Sequence, residues 1–415
     1  MTLPPEITAT ASGRSAPPLF PPSPLPQKIW LGLCIAYPAV VLISIAAANI
    51  LLVGILLGWI FLRRHFELKY PRVLLVLVAL YLAWTLIALI ASPLAHNWAT
   101  WFEERSVFLA LLPGLILGSN LRWTQKAIFY VSALLPLLAA YAVYQYFFGW
   151  DVLRGEVLAD QLSRFHATGL QDFHLTFAGL MALAMPVAAA LPSSKVSRAG
   201  LIAAAGSLAV VCSMARAIML GLMGCGALFL IFGSRRLRLT GLVIFLAMIL
   251  LPSTIFSVSR ERLARGLGVS KENIEQGDPT RIYLWKTAFR IIQHYPIAGV
   301  GEDNWNAVFD RYKEPFDAYS TTAHAHNDFL SAAVDHGLVG AALLLILWVY
   351  IMVKSIRGVI RAAVGERDLR LGFLAAFAIL LFGGMLQNYQ TDAEVALLLW
   401  CWVGLSFSLQ RQETS

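Results

Sequence analysis

Two histidines, two arginines and a pair of glycines are the residues of this chain whose types and spacing fit a shared chemistry. The stretch Thr321-Thr-Ala-His-Ala-His326-Asn327-Asp-Phe-Leu-Ser-Ala-Ala-Val-Asp-His-Gly337-Leu-Val-Gly340 holds three of the eight histidines. Asn327 is an N-cap residue type, followed by Phe329, Leu330, Ala333 and Val334 at helical spacing, so a helix starts there. Gly337 stands where a C-cap or kink falls, and Leu338 to Val353 is apolar enough to enter a bilayer. This places His326 at a helix N-terminus, at the edge of a membrane, facing a polar loop. The helix dipole disfavours an imidazolium there and keeps the ring neutral, able to accept a proton as a general base. An interfacial histidine satisfied by its surroundings is the plain alternative. His324 and His326 alternate, but no Cys cluster, carboxylate pair or His-x-x-x-His accompanies them, and Asp328 and Asp335 stand isolated, so no metal is expected.

The cations come next. Arg216, in Ser213-Met-Ala-Arg-Ala217, sits in a short turn between two apolar runs. It either snorkels to head groups or faces a phosphate as a fixed cation. Arg281 opens an amphipathic piece whose Ile282, Trp285, Ala288, Phe289 and Ile292 form one face, expected to lie along the membrane surface. It is either a solvated charge or the second half of a clamp, since two arginines can hold a diphosphate by bidentate hydrogen bonds. His166 belongs to another loop, and Asp392, in Gln390-Thr-Asp392, stands at a turn where it could support the histidine or an arginine. Asn327 either orients the ring or caps the helix. Gly337-x-x-Gly340 has close helix packing as its structural reading. No Gly-Lys-Ser/Thr loop is present, so no nucleotide partner is expected.

Which elements position these residues follows from composition. The chain has 415 residues, 58% hydrophobic and 13% charged, with mean hydropathy +0.68, which marks a polytopic membrane protein. Its net charge of +8 would suggest nucleic acid in a soluble protein; here it is largely a topology signal, with membrane lipids as default partners and no nucleic acid. The four cysteines fall inside apolar runs and read as buried thiols. Residues 1–28, rich in Pro, Ser and Thr, read as a disordered tail. Apolar runs then cover 29–62 (two spans, turning at Ala47-Ala48-Asn49), 73–92, 104–118, 126–148, 172–191, 199–213, 216–233, 239–256, 333–353, 371–387 and 394–410. At roughly 20 residues per span that is about twelve helices, an all-α fold. Nine spans lie in 29–256, three in 333–410, and 411–415 forms a short tail.

Charge orients them. Arg63, Arg64, Lys69 and Arg72, Arg122 and Lys126, Lys195 and Arg198, Arg235, Arg236 and Arg238, then Lys354, Arg357, Arg361, Arg367 and Arg370 all fall in loops of one face, with both termini. That face is cytoplasmic by the positive-inside rule. The opposite face carries the two long loops, about 149–171 and 257–332, and with them His326. Ionisable groups gather at that face rather than at the bilayer midplane, which favours an enzyme acting at the interface over a transporter.

His326-Asn327, nine residues, then Gly337-Leu-Val-Gly340 resembles the O-antigen ligase and polymerase superfamily, whose ligases carry such a pair and Gly-x-x-Gly. Ser213-Met-Ala-Arg216, Arg281-Ile-Tyr-Leu-Trp285, Pro296-Ile-Ala-Gly-Val-Gly301 and Phe165-His-Ala-Thr-Gly169 resemble further segments of the same family, although Ser-Met-Ala-Arg replaces an adjacent Ser-Arg. The resemblance implies a GT-C-type fold with a large helical periplasmic loop between helices 9 and 10, in the bacterial inner membrane. It implies transfer of an O-antigen glycan from undecaprenyl diphosphate to lipid A–core oligosaccharide, inverting, with no metal or other cofactor. His326 would be the base, Arg216 and Arg281 would stabilise the diphosphate, and Asn327, His324, Asp392, His166, Gly337 and Gly340 would support them. An O-antigen polymerase or a pilin-type oligosaccharyltransferase shares the chemistry and differs in acceptor. A lipid or polysaccharide transporter belongs to a different class and predicts intramembrane charges. A structural scaffold leaves the clustered His and Arg unexplained.

Overall fold

Helical rods occupy each of the apolar runs. The computed structural model describes residues 25–63, 66, 68, 70–159, 165–192, 195–255, 279–313 and 324–411. The helices are α1 (Leu25–Val41), α2 (Ile45–Leu62), α3 (Arg72–Ala91), α4 (Trp98–Ser106), α5 (Leu111–Gly118), α6 (Leu121–Phe148), α7 (His174–Ala189), α8 (Val196–Ser213), α9 (Arg216–Phe232), α10 (Arg235–Ile255), α11 (Pro279–His294), α12 (Trp305–Tyr312), α13 (Asp328–Arg361), α14 (Val364–Gly384) and α15 (Ala393–Arg411). Among the described residues the only sheet is a hairpin, β1 (Trp150–Asp151) with β2 (Glu156–Val157).

Among the described residues, six helices are long and apolar enough to cross a membrane. The chain is an all-α polytopic membrane protein. Backbone amides that cannot meet water in lipid must be satisfied within their own segment, which helices do. The apolar window of α15 is 83% buried and that of α2 only 17%, so α15 stands at the centre and α2 at the periphery. Outer helices present Ile50, Phe61, Val76 and Leu137 outward, the surface a lipid phase would cover. At the centre α5 and α15 approach backbone to backbone. A side chain at Gly114 would meet the Cys401 carbonyl and one at Gly118 that of Leu405. All four cysteines are buried and free.

Several boundaries differ from those read in the sequence. The first turn falls at 42–44, where the Ser44 hydroxyl caps α2 by accepting from the Ala47 amide, and not at Ala47-Ala48-Asn49. Of the expected N-terminal tail, residues 1–24 lie outside the described residues, while 25–28 are already helical. The run at 104–118 begins earlier, at Trp98, and passes through a 3₁₀ turn at Val107–Ala110. The helix entered at Asn327 continues to Arg361, and α14 stops at Gly384, which leaves 385–392 as a polar loop.

The amphipathic α11 also differs. Its buried face is Leu284, Ala288, Ile291 and Ile292, at i, i+4, i+7 and i+8, and Phe289 is exposed. These side chains join Val300, Trp305, Val308, Phe309, Ala325 and Val334 in a second apolar core. So α11 packs on protein, with α12 and the start of α13.

Candidate functional site

His326 is placed by its neighbours in sequence. Asn327 caps α13, its Oδ1 accepting from the amides of Phe329 and Leu330 at 3.0 Å each. Its Nδ2 donates to the Met385 carbonyl at 2.9 Å, tying the helix start to the 385–392 loop. Asp328, buried one residue later, accepts from the amides of Tyr389 (2.7 Å) and Gln390 (3.0 Å), fastening the same loop again. His326 itself has φ +50°, a left-handed conformation that costs a non-glycine residue of order 1–3 kcal/mol and persists only where the surroundings impose it. Its amide donates to His324 Nδ1 at 3.1 Å, and the two rings meet edge to face at 4.4 Å.

The ring of His326 is oriented by Gln387. Its Nδ1 lies 2.7 Å from Gln387 Oε1, and Gln387 is buried. An amide oxygen only accepts, so Nδ1 carries the hydrogen and Nε2 the lone pair. This is the tautomer a general base requires. Burial first, and His326 second, push the neighbouring His324 down to about 4, so His324 stays neutral near pH 7.

The glycines explain how α13 bends. Gly337 has φ +68° and ψ −178°, and a side chain there would strike the Ile297 carbonyl. This kink releases carbonyls that a straight helix would use. The Val300 amide donates to the Val334 carbonyl at 2.8 Å, the Gly301 amide to Asp335 at 3.0 Å, and the Leu338 amide to the Pro296 carbonyl at 2.8 Å. The Pro296–Gly301 turn therefore docks along the kinked helix. Gly340 makes room for the His336 side chain and Trp84.

Behind this turn is a buried ion cluster. Arg105 donates to Glu302 at 2.6 Å and pairs with Glu104 at 3.3 Å. His336 Nε2 lies 2.9 Å from Glu302. Burial opposes ionisation of Glu302, but Arg105 and then His336 hold its carboxyl well below the usual range. From just after α3, Ser92 donates to the Val300 carbonyl (2.5 Å) and Asn97 to the Glu302 carbonyl (2.7 Å), clamping the 300–302 backbone.

The arginines approach from neighbouring helices. Arg216 opens α9 and is exposed, close enough to His166 that burial first and its charge second lower that histidine. His166 meets His174 edge to face at 4.4 Å, and the Ala167 amide bonds the Cys212 carbonyl beside the Arg216 turn. Arg281, in the first turn of α11, acts electrostatically on Tyr389 in the loop that holds His326. Neither arginine has a hydrogen bond or acidic partner among the described residues. Asp392 accepts from Thr176 at 2.6 Å and from the Val395 amide at 3.2 Å, so its bonds go to the starts of α7 and α15. Burial pushes it up to about 7.

The loop that carries Gln387 thus links several of these residues: Tyr389 feels Arg281, and Asp392 bonds Thr176 on α7, whose first residue, His174, meets His166 beside Arg216. The sequence had not marked Gln387. Its signal was the polar run Gln387-Asn-Tyr-Gln-Thr-Asp392 between two apolar helices. The carboxylates read as isolated are not all so: Asp335 shares a cavity wall with Glu104, Glu302 and Asp303. Among the described residues no group of three or more His, Cys, Asp or Glu is spaced to hold a metal ion.

Fold and site together define a multi-pass membrane protein with a histidine-centred polar site at one end of its helices. Residues 201–345, which include Arg216, Arg281, His326, Gly337 and Gly340, match the family model described as O-antigen ligase. The match likens this segment of the chain to the O-antigen ligase superfamily. No curated protein matches the chain in a sequence search.

Proposed function

We propose that the protein is an O-antigen ligase, transferring a glycan from undecaprenyl diphosphate to a sugar hydroxyl of lipid A–core oligosaccharide at the periplasmic face of the inner membrane. What carries the proposal is the His326–Gln387 contact, 2.7 Å, which leaves Nε2 as proton acceptor within the segment matched to the family. The acceptor oxygen attacks the anomeric carbon while the carbon–oxygen bond to the diphosphate breaks. The hydroxyl proton passes to His326 Nε2, and the bond's electron pair leaves on the phosphate oxygen. A single displacement of this kind inverts the anomeric centre.

Each part has a physical task. A sugar hydroxyl is a poor nucleophile, and one positioned base is worth roughly 10²–10⁴ in rate. The diphosphate is already a good leaving group and needs no general acid. Its growing charge needs fixed cations, which Arg216 and Arg281 supply. His166 flanks Arg216, His324 packs on the base, and Asn327 holds both the helix start and the loop carrying Gln387. The basic loops support a topology with both termini in the cytoplasm and this end of the bundle in the periplasm.

The test is product formation from undecaprenyl-diphosphate glycan and core-only lipopolysaccharide in liposomes, with and without EDTA. Glycan-extended lipid A–core, formed equally in EDTA, is expected. Product on a growing glycan or a pilin, and none on core, would transfer the assignment to a polymerase or a protein oligosaccharyltransferase. Vectorial movement of lipid without bond exchange would make it a transporter.

A further inference from the structure

Arg216 is exposed and forms no hydrogen bond among the described residues, so the backbone that carries it decides where its charge stands. That backbone is a tight turn. Met214, two residues earlier, has φ +58° and ends α8 in the left-handed conformation that glycine usually supplies at a helix C-terminus. A residue with a side chain keeps this conformation only where its surroundings impose it. Inside the turn the Met214 amide bonds the Val211 carbonyl at 3.1 Å, and the Ser213 hydroxyl donates to the Val210 carbonyl at 2.7 Å. From outside, the Ala167 amide donates at 3.1 Å to the carbonyl of Cys212, in the last turn of α8, where carbonyls lack an intrahelical partner. His166, next to Ala167, feels the charge of Arg216, so this loop lies beside the arginine.

The loop is held in turn by α6. Gln145, three residues before the end of that helix, has a fully buried side chain. Its Oε1 accepts from the amides of Thr168 (3.1 Å) and Gly169 (2.7 Å), the two residues that follow Ala167. Its Nε2 donates to the Gly169 carbonyl at 3.0 Å and to Asp151 Oδ2, in the hairpin, at 3.2 Å. Both lone pairs and both hydrogens of the carboxamide are thus in use. Packing fixes the same loop, since Gly169 has φ +60° and a side chain there would strike the Phe177 ring of α7. Leucine would fill the space of Gln145 equally well. What the carboxamide adds is the geometry of the loop. One series of contacts therefore runs from α6 through residues 167–169 to the end of α8, four residues before Arg216.

We propose that Gln145 is a positioning residue for the lipid-diphosphate donor, setting the Phe165–Gly169 loop against the end of α8 and through it the place of the Arg216 guanidinium. The assignment rests on the diphosphate role given to Arg216 above and adds the residue, on another helix, through which that arginine is held in place. Without Gln145 the arginine keeps its charge and loses its fixed position, so part of the binding free energy goes into ordering it. The effect falls on the donor, because His326 is oriented by Gln387 and Asn327 from a different loop.

The experiment is a double-mutant cycle on the purified full chain. Binding of undecaprenyl diphosphate is measured for wild type, Gln145→Leu, Arg216→Ala and the double variant, with unfolding temperatures alongside, and donor and acceptor KM are measured in liposomes. Gln145→Leu is expected to raise donor Kd and donor KM about threefold to tenfold, a coupling typical of residues in one network, with acceptor KM unmoved. In the Arg216→Ala background the same change is expected to have no further effect on Kd, because the group it positions is gone. A merely structural role would weaken both backgrounds by the same factor, and that result overturns the assignment. So does wild-type affinity in Gln145→Leu. Gln145→Glu keeps an acceptor for the Thr168 and Gly169 amides; it is expected to fall between wild type and leucine, and it serves the same cycle if the leucine variant does not fold. If Arg216→Ala binds the lipid as wild type does, the diphosphate role of Arg216 falls and this assignment with it. If Arg216→Ala loses affinity and the cycle is additive, the role of Arg216 stands and only the assignment of Gln145 falls.

Discussion

His326 Nδ1 and Gln387 Oε1 lie 2.7 Å apart across 61 residues of sequence, joining the start of one helix to the loop between two others. Because the amide oxygen can only accept, this contact fixes the imidazole tautomer and points the basic nitrogen away from the loop. Gln387→Ala frees the ring to take either tautomer. Its kcat is expected to fall about 10–100-fold, by analogy with groups that orient a ligating histidine, with donor KM unchanged. Gln387→Glu places a carboxylate against Nδ1, which favours the imidazolium. The acidic limb of its pH–rate profile should therefore move to higher pH, a displacement that a merely structural role would not produce.

Arg216 and Arg281 carry charges with no acidic partner among the described residues. If each bonds a phosphate oxygen, removing one costs about 1.5–3 kcal/mol, so Arg216→Ala and Arg281→Ala should each lower kcat/KM for the lipid-diphosphate donor roughly 10–100-fold. Lysine keeps the charge and loses the planar fork, so Arg→Lys should recover only part of the activity. Steady-state kinetics with donor varied checks both.

Gly337 tests the kink. Its φ and ψ lie in a region essentially closed to side chains, and a Cβ would overlap the Ile297 carbonyl. Gly337→Ala is expected to destabilise the protein by roughly 3 kcal/mol or more, read as a lower unfolding temperature in detergent. At Gly340 the backbone is helical but an added Cβ would run into the His336 Cβ, so Gly340→Ala should destabilise by steric overlap without the added backbone strain of Gly337→Ala.

Acid stability follows from His324. Its folded value is depressed to about 4 from an ordinary 6.5, so between these pH values the unfolded chain binds a proton that the folded chain does not. Its contribution to stability is present above about 6.5 and is lost as pH falls toward 4. Unfolding temperatures measured across pH 4–7 should fall on acidification. The fall should be shallower in His324→Gln, which cannot take up that proton.

Much of the fold was legible because lipid imposes it: runs of about 20 apolar residues become helices whatever their partners. The cap at Asn327 and the kink at Gly337 were legible for a local reason, since each acts on a backbone within a few residues. The exact turns were less so. The break at 42–44 is set by one Ser44 hydroxyl inside a continuous apolar run, and α11 gave up the face containing Phe289 because a second core formed around Leu284 and Ala288. The wall of the cavity was not legible. Arg105 meets Glu302 across 197 positions, and nothing near Asp335 in sequence says that Glu104 will share its cavity. Gln387 was hidden by being counted into the apolar run before it, although the helix ends at Gly384.

The central claim is that His326 takes the acceptor proton. It is tested most directly by single-turnover glycan transfer to core-only lipopolysaccharide, wild type against His326→Ala, with folding checked by unfolding temperature and donor binding measured alongside. The account predicts a loss of roughly 10²–10⁴ in the transfer rate with donor affinity little changed. Near-wild-type transfer by folded His326→Ala would contradict it and place the base elsewhere.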